Sequence, residues 1–326
     1  MRNILYNRGY KPSTAFDVPV ISVGNISVGG TGKTPMIEYL VRLLAPPHHV
    51  ATLSRGYRRK TRGFRIASEA DTPATIGDKP FQLFRKFGTR VAVCVSEERA
   101  LGIAQLLQAR DETDLVLLDD AFQHRRVRPM FQVVLTDYNR PFFDDFVLPM
   151  GRLRESRKGI VRADVVVVTK CPAELQDEQM MSVEEQIRDY TDRPVFFATI
   201  RYGTPIGFEG NMSPAGEKVV LVTGIASPAN LVSYVQQHYT LIRHFDFPDH
   251  HIYNTEEIRR ICNVAIKSGA SVITTEKDAV KLDVPEYRQL CKEAPFFYMP
   301  IQTEFLKNGK EFDEMILNSL RHRNGS

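Results

Sequence analysis

The stretch "VPVISVGNISVGGTGKTPMIEYLVRLL" constrains this chain more than any other part of it. An apolar run with the pattern of a buried strand, Val18 to Val23, leads into a glycine-rich turn and then into apolar residues at helical spacing from Lys33. A strand, a tight turn and a helix in that order aim successive backbone N–H groups at one point, where the helix dipole adds positive potential. Gly29, Gly30 and Gly32 provide the backbone freedom, and Lys33 and Thr34 follow directly. The arrangement is that of a phosphate-binding loop running from Ser27 through Val28, Gly29, Gly30, Thr31 and Gly32 to Lys33 and Thr34. Lys33 is expected to reach the β and γ phosphates of a nucleoside triphosphate, and the Thr34 hydroxyl to ligate Mg²⁺. Ser27 stands where the commonest form of the motif has its first glycine.

Short valine- and isoleucine-rich runs recur along the chain: "VAVCVS", "DLVLLDD", "FQVVLTD", "ADVVVVTK", "KVVLVTG" and "ASVITTEKD". Bounded by polar residues and separated by helical stretches, they read as parallel strands buried on both faces. The expected fold is α/β, a P-loop NTPase-like, mostly parallel sheet flanked by helices. Two further extended pieces, "RPVFFATIRYG" and "APFFYMPIQTEF", are candidates to pair as a linker. The expected organisation is a core domain over 1–205, a smaller α/β lid domain over 206–305, and a last helix, 306–326, returning to the core.

Composition narrows the classes. The 326 residues carry a formal net charge of +4, far from that of a polybasic nucleic-acid binder, so no nucleic-acid partner is expected. The longest apolar runs fall short of the roughly 18 to 20 residues of a membrane span. The opening "MRNILYNRGYKPS" lacks the apolar centre of a signal peptide. Cys94, Cys171, Cys262 and Cys291 are scattered, with no CxxC pair, and read as buried thiols. A cytoplasmic or peripheral location is expected.

A second element points to nucleotide chemistry. In "LVLLDDAFQHRR", Leu115 to Leu118 end in Asp119 and Asp120, as a buried strand delivering carboxylates to the edge of a sheet beside the phosphate loop. One or both would position Mg²⁺, directly or through water. Neither "VVVVTKCP" nor "TTEKD" has the spacing of a guanine-recognition motif, which favours ATP.

Taken in series, "VPVISVGNISVGGTGKTP", "LSRGYRR", "GDKPFQL", "LDDAFQHRRV", "PMGRLRE", "VTGIASP", "FPDHH" and "TTEKDAVKL" resemble the signatures of the tetraacyldisaccharide 4'-kinases, the lipid A 4'-kinases of Gram-negative bacteria. The resemblance implies ATP-dependent phosphorylation of the 4'-hydroxyl of tetraacyldisaccharide 1-phosphate by a peripheral protein at the cytoplasmic face of the inner membrane. It also implies a phosphate loop with a hydroxyl residue at Ser27. By the same resemblance Asp119 and Asp120 are metal-side acids, and Glu155 of "GRLRE" is a third. Asp78 of "GDKP" corresponds to the group that activates the acceptor hydroxyl, assisted by His250 of "FPDHH". Tyr57 of "SRGYRR" is a candidate nucleotide contact. Lys79 departs from the glutamate usual in the family. The family usually carries further apolar and basic helix ahead of "RNILYNRG", so membrane contact is expected to be reduced or borne by another surface.

On residue type alone, Asp78 after Gly77 also reads as a turn or helix-cap residue. "PDHH" lacks the further ligands a zinc site needs. The basic stretch "RGYRRKTRGFR" reads either as a solvated face or as a contact for the substrate's 1-phosphate or anionic headgroups. Two other functions remain open at this level: a P-loop kinase or ATPase acting on a soluble sugar or metabolite, and a nucleotide-switch binding module.

Overall fold

A computed structural model describes residues 2–208, 216–290 and 294–321. By its internal contacts the chain divides into two compact units, one of residues up to Arg201 together with those from Gln302 onward, the other Tyr202–Ile301. The first is built on β1 (Val20–Gly24), β2 (Val50–Ser54), β3 (Arg65–Ile66), β4 (Ala92–Val95), β5 (Leu115–Asp119), β6 (Phe131–Asp137), β7 (Val165–Thr169) and β8 (Val195–Tyr202). The second contains β9 (Ile206–Gly207), β10 (Lys218–Thr223), β11 (Thr240–Asp246), β12 (Ser271–Thr275) and β13 (Phe296–Met299), and β14 (Ile301–Phe305) joins the first sheet.

The large sheet has the order β14-β8-β7-β6-β1-β5-β2-β4-β3. β1 lies between β5 and β6 in parallel register, Val20 opposite Val116 and Ile21 opposite Phe131. β2 joins β5 to β4, also in parallel. β1, β2, β5 and β7 are buried along their whole lengths, as parallel strands covered on both faces must be. On one face Met36, Ile37, Leu40 and Leu44 of the helix Lys33–Leu44 pack with Ile21, Val23, Leu117 and Val133. On the other, Ile103 and Leu106 of the helix Arg99–Ala109 pack with Val20, Leu53 and Leu118. Because these strands run the same way, Gly24, Ser54, Val95, Asp119, Asp137 and Thr169 all end at one edge of the sheet. Ligands of open parallel sheets bind at that edge.

The second unit has the order β11-β10-β12-β13-β9, parallel except for β9. Its helix Thr255–Ser268 opens with a capping box, the Glu257 N–H donating to Asn254 Oδ1 and the Asn254 N–H to Glu257 Oε2. Such a cap contributes about 1 kcal/mol. The helix stops at Gly269, whose φ of 60° is left-handed.

Two local readings change, and one strand, β2, adds to those expected. β2 breaks its apolar run with Thr52 and Ser54, so its sequence "VATLS" reads as weakly apolar although both residues are buried. "APFFYMPIQTEF" is not one strand: Pro300 divides it into β13, which pairs with β12, and β14, which neighbours β8. Cys94 and Cys171 are free buried thiols, but Cys262 is disulfide-bonded, which corrects the expectation for that residue. Spacing along the chain is blind to such proximity. Cys291 lies outside the described residues.

Candidate active site

The phosphate loop leaves β1 where backbones nearly touch. A Cβ on Gly24 would lie 2.6 Å from Cβ of Phe122, so only glycine fits there. Asn25, fully buried, then braces the loop from within: its Nδ2 donates to Thr31 Oγ1 at 2.8 Å, and its carbonyl accepts from Gln123 Nε2 at 2.8 Å. The outer side of the loop is held by a short ladder, the Val28 N–H donating to the Arg152 carbonyl and the Arg154 N–H to that of Ile26, with Ser27 opposite Leu153. Thr169 Oγ1 at the end of β7 donates to the Thr31 carbonyl at 3.1 Å. Gly29 and Gly32 take φ of 110° and 77°, conformations that disfavour any side chain. Lys33 and Thr34 then open the helix.

Lys33 is buried, and its Nζ stands 3.5 Å from Asp120 Oδ1. Burial pulls its pKa down to about 8, against the opposing pull of Asp120 and Asp119, while Lys79 and Arg154 depress it further. Asp120 has a left-handed φ of 52°, which turns its carboxylate towards Lys33 and towards Arg154 Nη1 at 3.0 Å. Burial pushes that carboxyl up, but Lys33, Arg154 and Lys79 outweigh it and hold it well below the usual carboxylate range. Asp119 is buried, and among the described residues its Oδ1 has no hydrogen-bond partner. Arg99, also buried, donates to the carbonyls of Ser96, just after β4, and Asp119, at the end of β5, and so reaches across the end of β2 that lies between them. Burial draws its pKa to about 10 against the pull of Asp119 and Asp120.

Glu155 is differently engaged. Its two oxygens meet the Arg162 guanidinium side-on at 2.9 Å each, and they also accept from Gln123 Nε2 and Asn3 Nδ2. That carboxylate ties together the loop after β5, the segment beside the phosphate loop and the first helix.

Asp78 is the first residue of the helix Asp78–Phe87. Gly77 before it has φ 95°, and a Cβ there would come within 3.0 Å of the Tyr57 carbonyl. The turn after β2 is therefore packed backbone to backbone against the start of this helix. Further along, Gln82 Nε2 and Lys86 Nζ meet Glu38 of the phosphate-loop helix at 3.1 and 2.6 Å, and Arg42 joins them at 3.1 Å. Glu38 is only 1% exposed, so this carboxylate fixes one helix against the other from inside. The helices that begin with Lys33 and Asp78 are thus joined. Tyr57 is exposed, with the Arg58 guanidinium over its ring.

In the second unit, His250 has a left-handed φ of 63° and donates its N–H to the Gly224 carbonyl. Lys277 Nζ lies 3.4 Å from His250 Nε2 and 2.5 Å from Asp249 Oδ1. Asp278, fully buried, accepts from the Gly224 N–H and the Thr275 hydroxyl and pairs with Lys281 at 2.8 Å. His251 is occupied otherwise, stacked on Phe247 and paired with Glu257.

Lys33, Thr34, Asp119 and Asp120 therefore share one sheet edge, with Asp78 at the head of a helix packed on the neighbouring turn, while His250 belongs to the second unit. Reading by motif passed over Arg154, Arg99, Glu38 and Gln123. Arg154 and Gln123 lie inside "PMGRLRE" and "LDDAFQHRRV", yet a side chain's partner across some thirty residues is not written in a motif.

The sequence model of the family described as "LpxK: Tetraacyldisaccharide-1-P 4'-kinase" matches residues 1–321. The chain belongs to this family. A tetraacyldisaccharide 4'-kinase from Flavobacterium johnsoniae is 42% identical over 98% of this chain and 93% of its own length. One from Bacteroides thetaiotaomicron is 40% identical over 100% of this chain and 91% of its own. Among solved structures, LpxK from Aquifex aeolicus, determined with ATP, superimposes with a TM-score of 0.75 at 27% identity, covering 98% of this chain and 94% of that one. The LpxK fold is thus shared over nearly the whole length, including the strand–loop–helix that carries Lys33.

Proposed function

We propose that this chain transfers the γ-phosphoryl group of ATP to the 4'-hydroxyl of tetraacyldisaccharide 1-phosphate, yielding lipid IVA in lipid A biosynthesis, as a peripheral protein on the cytoplasmic face of the inner membrane. One observation carries the chemistry: a buried lysine at the mouth of a helix, behind a loop with two positive-φ glycines, facing the carboxylate that follows Asp119. Successive loop N–H groups and Lys33 bind the phosphates and stabilise charge on the transferred group.

The donors fit a magnesium ion, which takes hard oxygen ligands. Among the described residues Asp119 has a buried oxygen without a partner, Asp120 follows it, and the Thr34 hydroxyl lies in the first helical turn. These three would hold it, with Glu155 as a third acid, and the ion would neutralise charge on the phosphates. Asp78 accepts the acceptor's proton as the 4'-oxygen attacks, and His250 orients or shares that proton. Phosphoryl transfer is mostly positioning and electrostatics, so an oriented carboxylate suffices as a late proton acceptor. Tyr57, exposed beside the turn after β2, contacts the nucleotide.

The test is incubation with γ-labelled ATP, Mg²⁺ and the disaccharide lipid precursor in detergent. Label in the lipid, at the 4'-position, supports the reading. Label only in inorganic phosphate would refute it, and transfer to a deacylated, water-soluble disaccharide at equal kcat/KM would favour a soluble-sugar kinase instead.

A further inference from the structure

The segment between β6 and Glu155 exposes an unusual amount of apolar surface. Phe146, Val147, Leu148 and Met150 are all exposed large hydrophobics within five residues, Phe146 at 58% and Met150 at 84%. Single exposed apolar residues are ordinary; a contiguous cluster of four marks an interaction surface. This one is built, not slack. The Asp145 carboxylate accepts the N–H groups of Phe146 and Arg152 at 2.7 and 3.0 Å, closing the segment at its base. The Leu148 N–H donates to the Leu153 carbonyl and the Leu153 N–H to that of Phe146. Arg157 donates to the Asp145 carbonyl and lies over the Phe146 ring. A Cβ on Gly151 would collide with the Asp145 carboxylate and the Phe146 carbonyl, so the tip is wound tightly. The backbone thus spends its hydrogen bonds internally and leaves the side chains pointing outward.

Two features say what covers it. Exposed Arg152 and Lys158, with half-buried Arg157, flank the apolar tip, and of the nearby acids Asp145 is engaged by backbone N–H groups while Asp144 alone is exposed. An apolar tip with a basic collar matches the boundary between acyl chains and anionic headgroups, where surface lysines and arginines are attracted to the negative leaflet. The segment is also continuous with the phosphate loop through the Val28–Arg152 hydrogen bond and the Ser27–Leu153 bridge.

We infer that residues 146–150 form a preorganised wedge that inserts into the surface of an anionic bilayer and sets the phosphate loop at headgroup level. This rests on the membrane-surface reading above and deepens it by naming the element that docks. Ordering costs are already met in the free protein, so the wedge favours a bilayer without first folding.

The chain contains no tryptophan, which permits a direct test. In Met150→Trp the new indole is the only one, and in the control Met181→Trp it sits on the exposed face of the helix Asp177–Arg188. With vesicles of phosphatidylethanolamine and phosphatidylglycerol, Met150→Trp emission shifts to the blue and is quenched by brominated lipid, while Met181→Trp is unchanged. The double variant Phe146→Ser/Met150→Ser binds these vesicles at least about tenfold less tightly, about 1.4 kcal/mol, and keeps its kcat on detergent-dispersed acceptor. A wild-type protein that fails to bind the vesicles would overturn the membrane reading itself. Vesicle binding that survives the serine pair, or equal shifts at both indoles, would overturn the wedge alone. A blue shift seen only with acylated acceptor, or one that rises with protein concentration without lipid, would reassign the tip to substrate chains or to a second copy of this chain and so overturn the proposal.

Discussion

Replacing Lys33 by methionine should abolish phosphoryl transfer and yet stabilise the free protein. Lys33 is 4% exposed, and its pKa falls from 10.5 to about 8 chiefly because burial penalises the ammonium, with Asp120 and Asp119 only partly offsetting that penalty. At 1.36 kcal/mol per pKa unit, keeping the charge in place costs the fold on the order of 3 kcal/mol. Methionine keeps the volume and removes the charge. Below pH 8 both folded and unfolded chains carry the proton, so the penalty is fully present. Between about 8 and 10.5 the unfolded chain binds more protons than the folded one, and stability contributed by this position rises with pH until the penalty is gone. Urea unfolding at pH 7 should therefore place Lys33→Met above the wild type by about 1–3 kcal/mol, a range that allows for Asp120 losing one of its cationic partners. The gap should close as pH approaches 10. In the same samples kcat/KM should fall by several orders of magnitude, because the cation that stabilises the transferred phosphoryl group is gone. A variant that is less stable at pH 7, or a gap independent of pH, would refute burial as the dominant influence on Lys33; near-normal turnover would refute its catalytic placement.

Three further outcomes are expected. Asp119→Asn should raise the Mg²⁺ concentration for half-activation by about tenfold or more, since even outer-shell changes at metal sites cost that much, and an unchanged magnesium titration would remove Asp119 from the ligand set. Asp78→Asn and His250→Ala should each cut turnover with ATP affinity retained, and the pair together should be little worse than the poorer single if they act as one unit; fully multiplicative losses would mean they act separately. Glu38→Ala should cost about 1–3 kcal/mol by stranding Gln82 beside a vacated carboxylate site and releasing Lys86 and Arg42, measurable as a lower urea midpoint, and an unchanged midpoint would show that this buried network does not hold the two helices.

What the sequence determined by itself is local and one-dimensional. Val20–Gly24, the turn through Gly32 and the helix from Lys33 form one continuous unit whose geometry follows from strand, glycine and helix in succession, so its form was legible before any tertiary contact. The same holds for Asp119 and Asp120, delivered by a strand of four apolar residues to the strand's own end. The parallel α/β class followed from repeated valine-rich runs separated by helices, because a strand buried on both faces has no polar side to display. Strand order was not legible, and it decides which ends meet: β5 lies between β1 and β2, which brings Asp119 and the turn after β2 to either side of one edge. Only that folding sets Arg154 against Asp120, and Glu38 of one helix against Gln82 and Lys86 of another. It also splits "APFFYMPIQTEF" between two sheets at Pro300. Periodicity reports which face of an element avoids water. It carries nothing about which distant carboxylate a buried cation will find, since that pairing is chosen by burial and Coulomb energy only after the strands have been ordered.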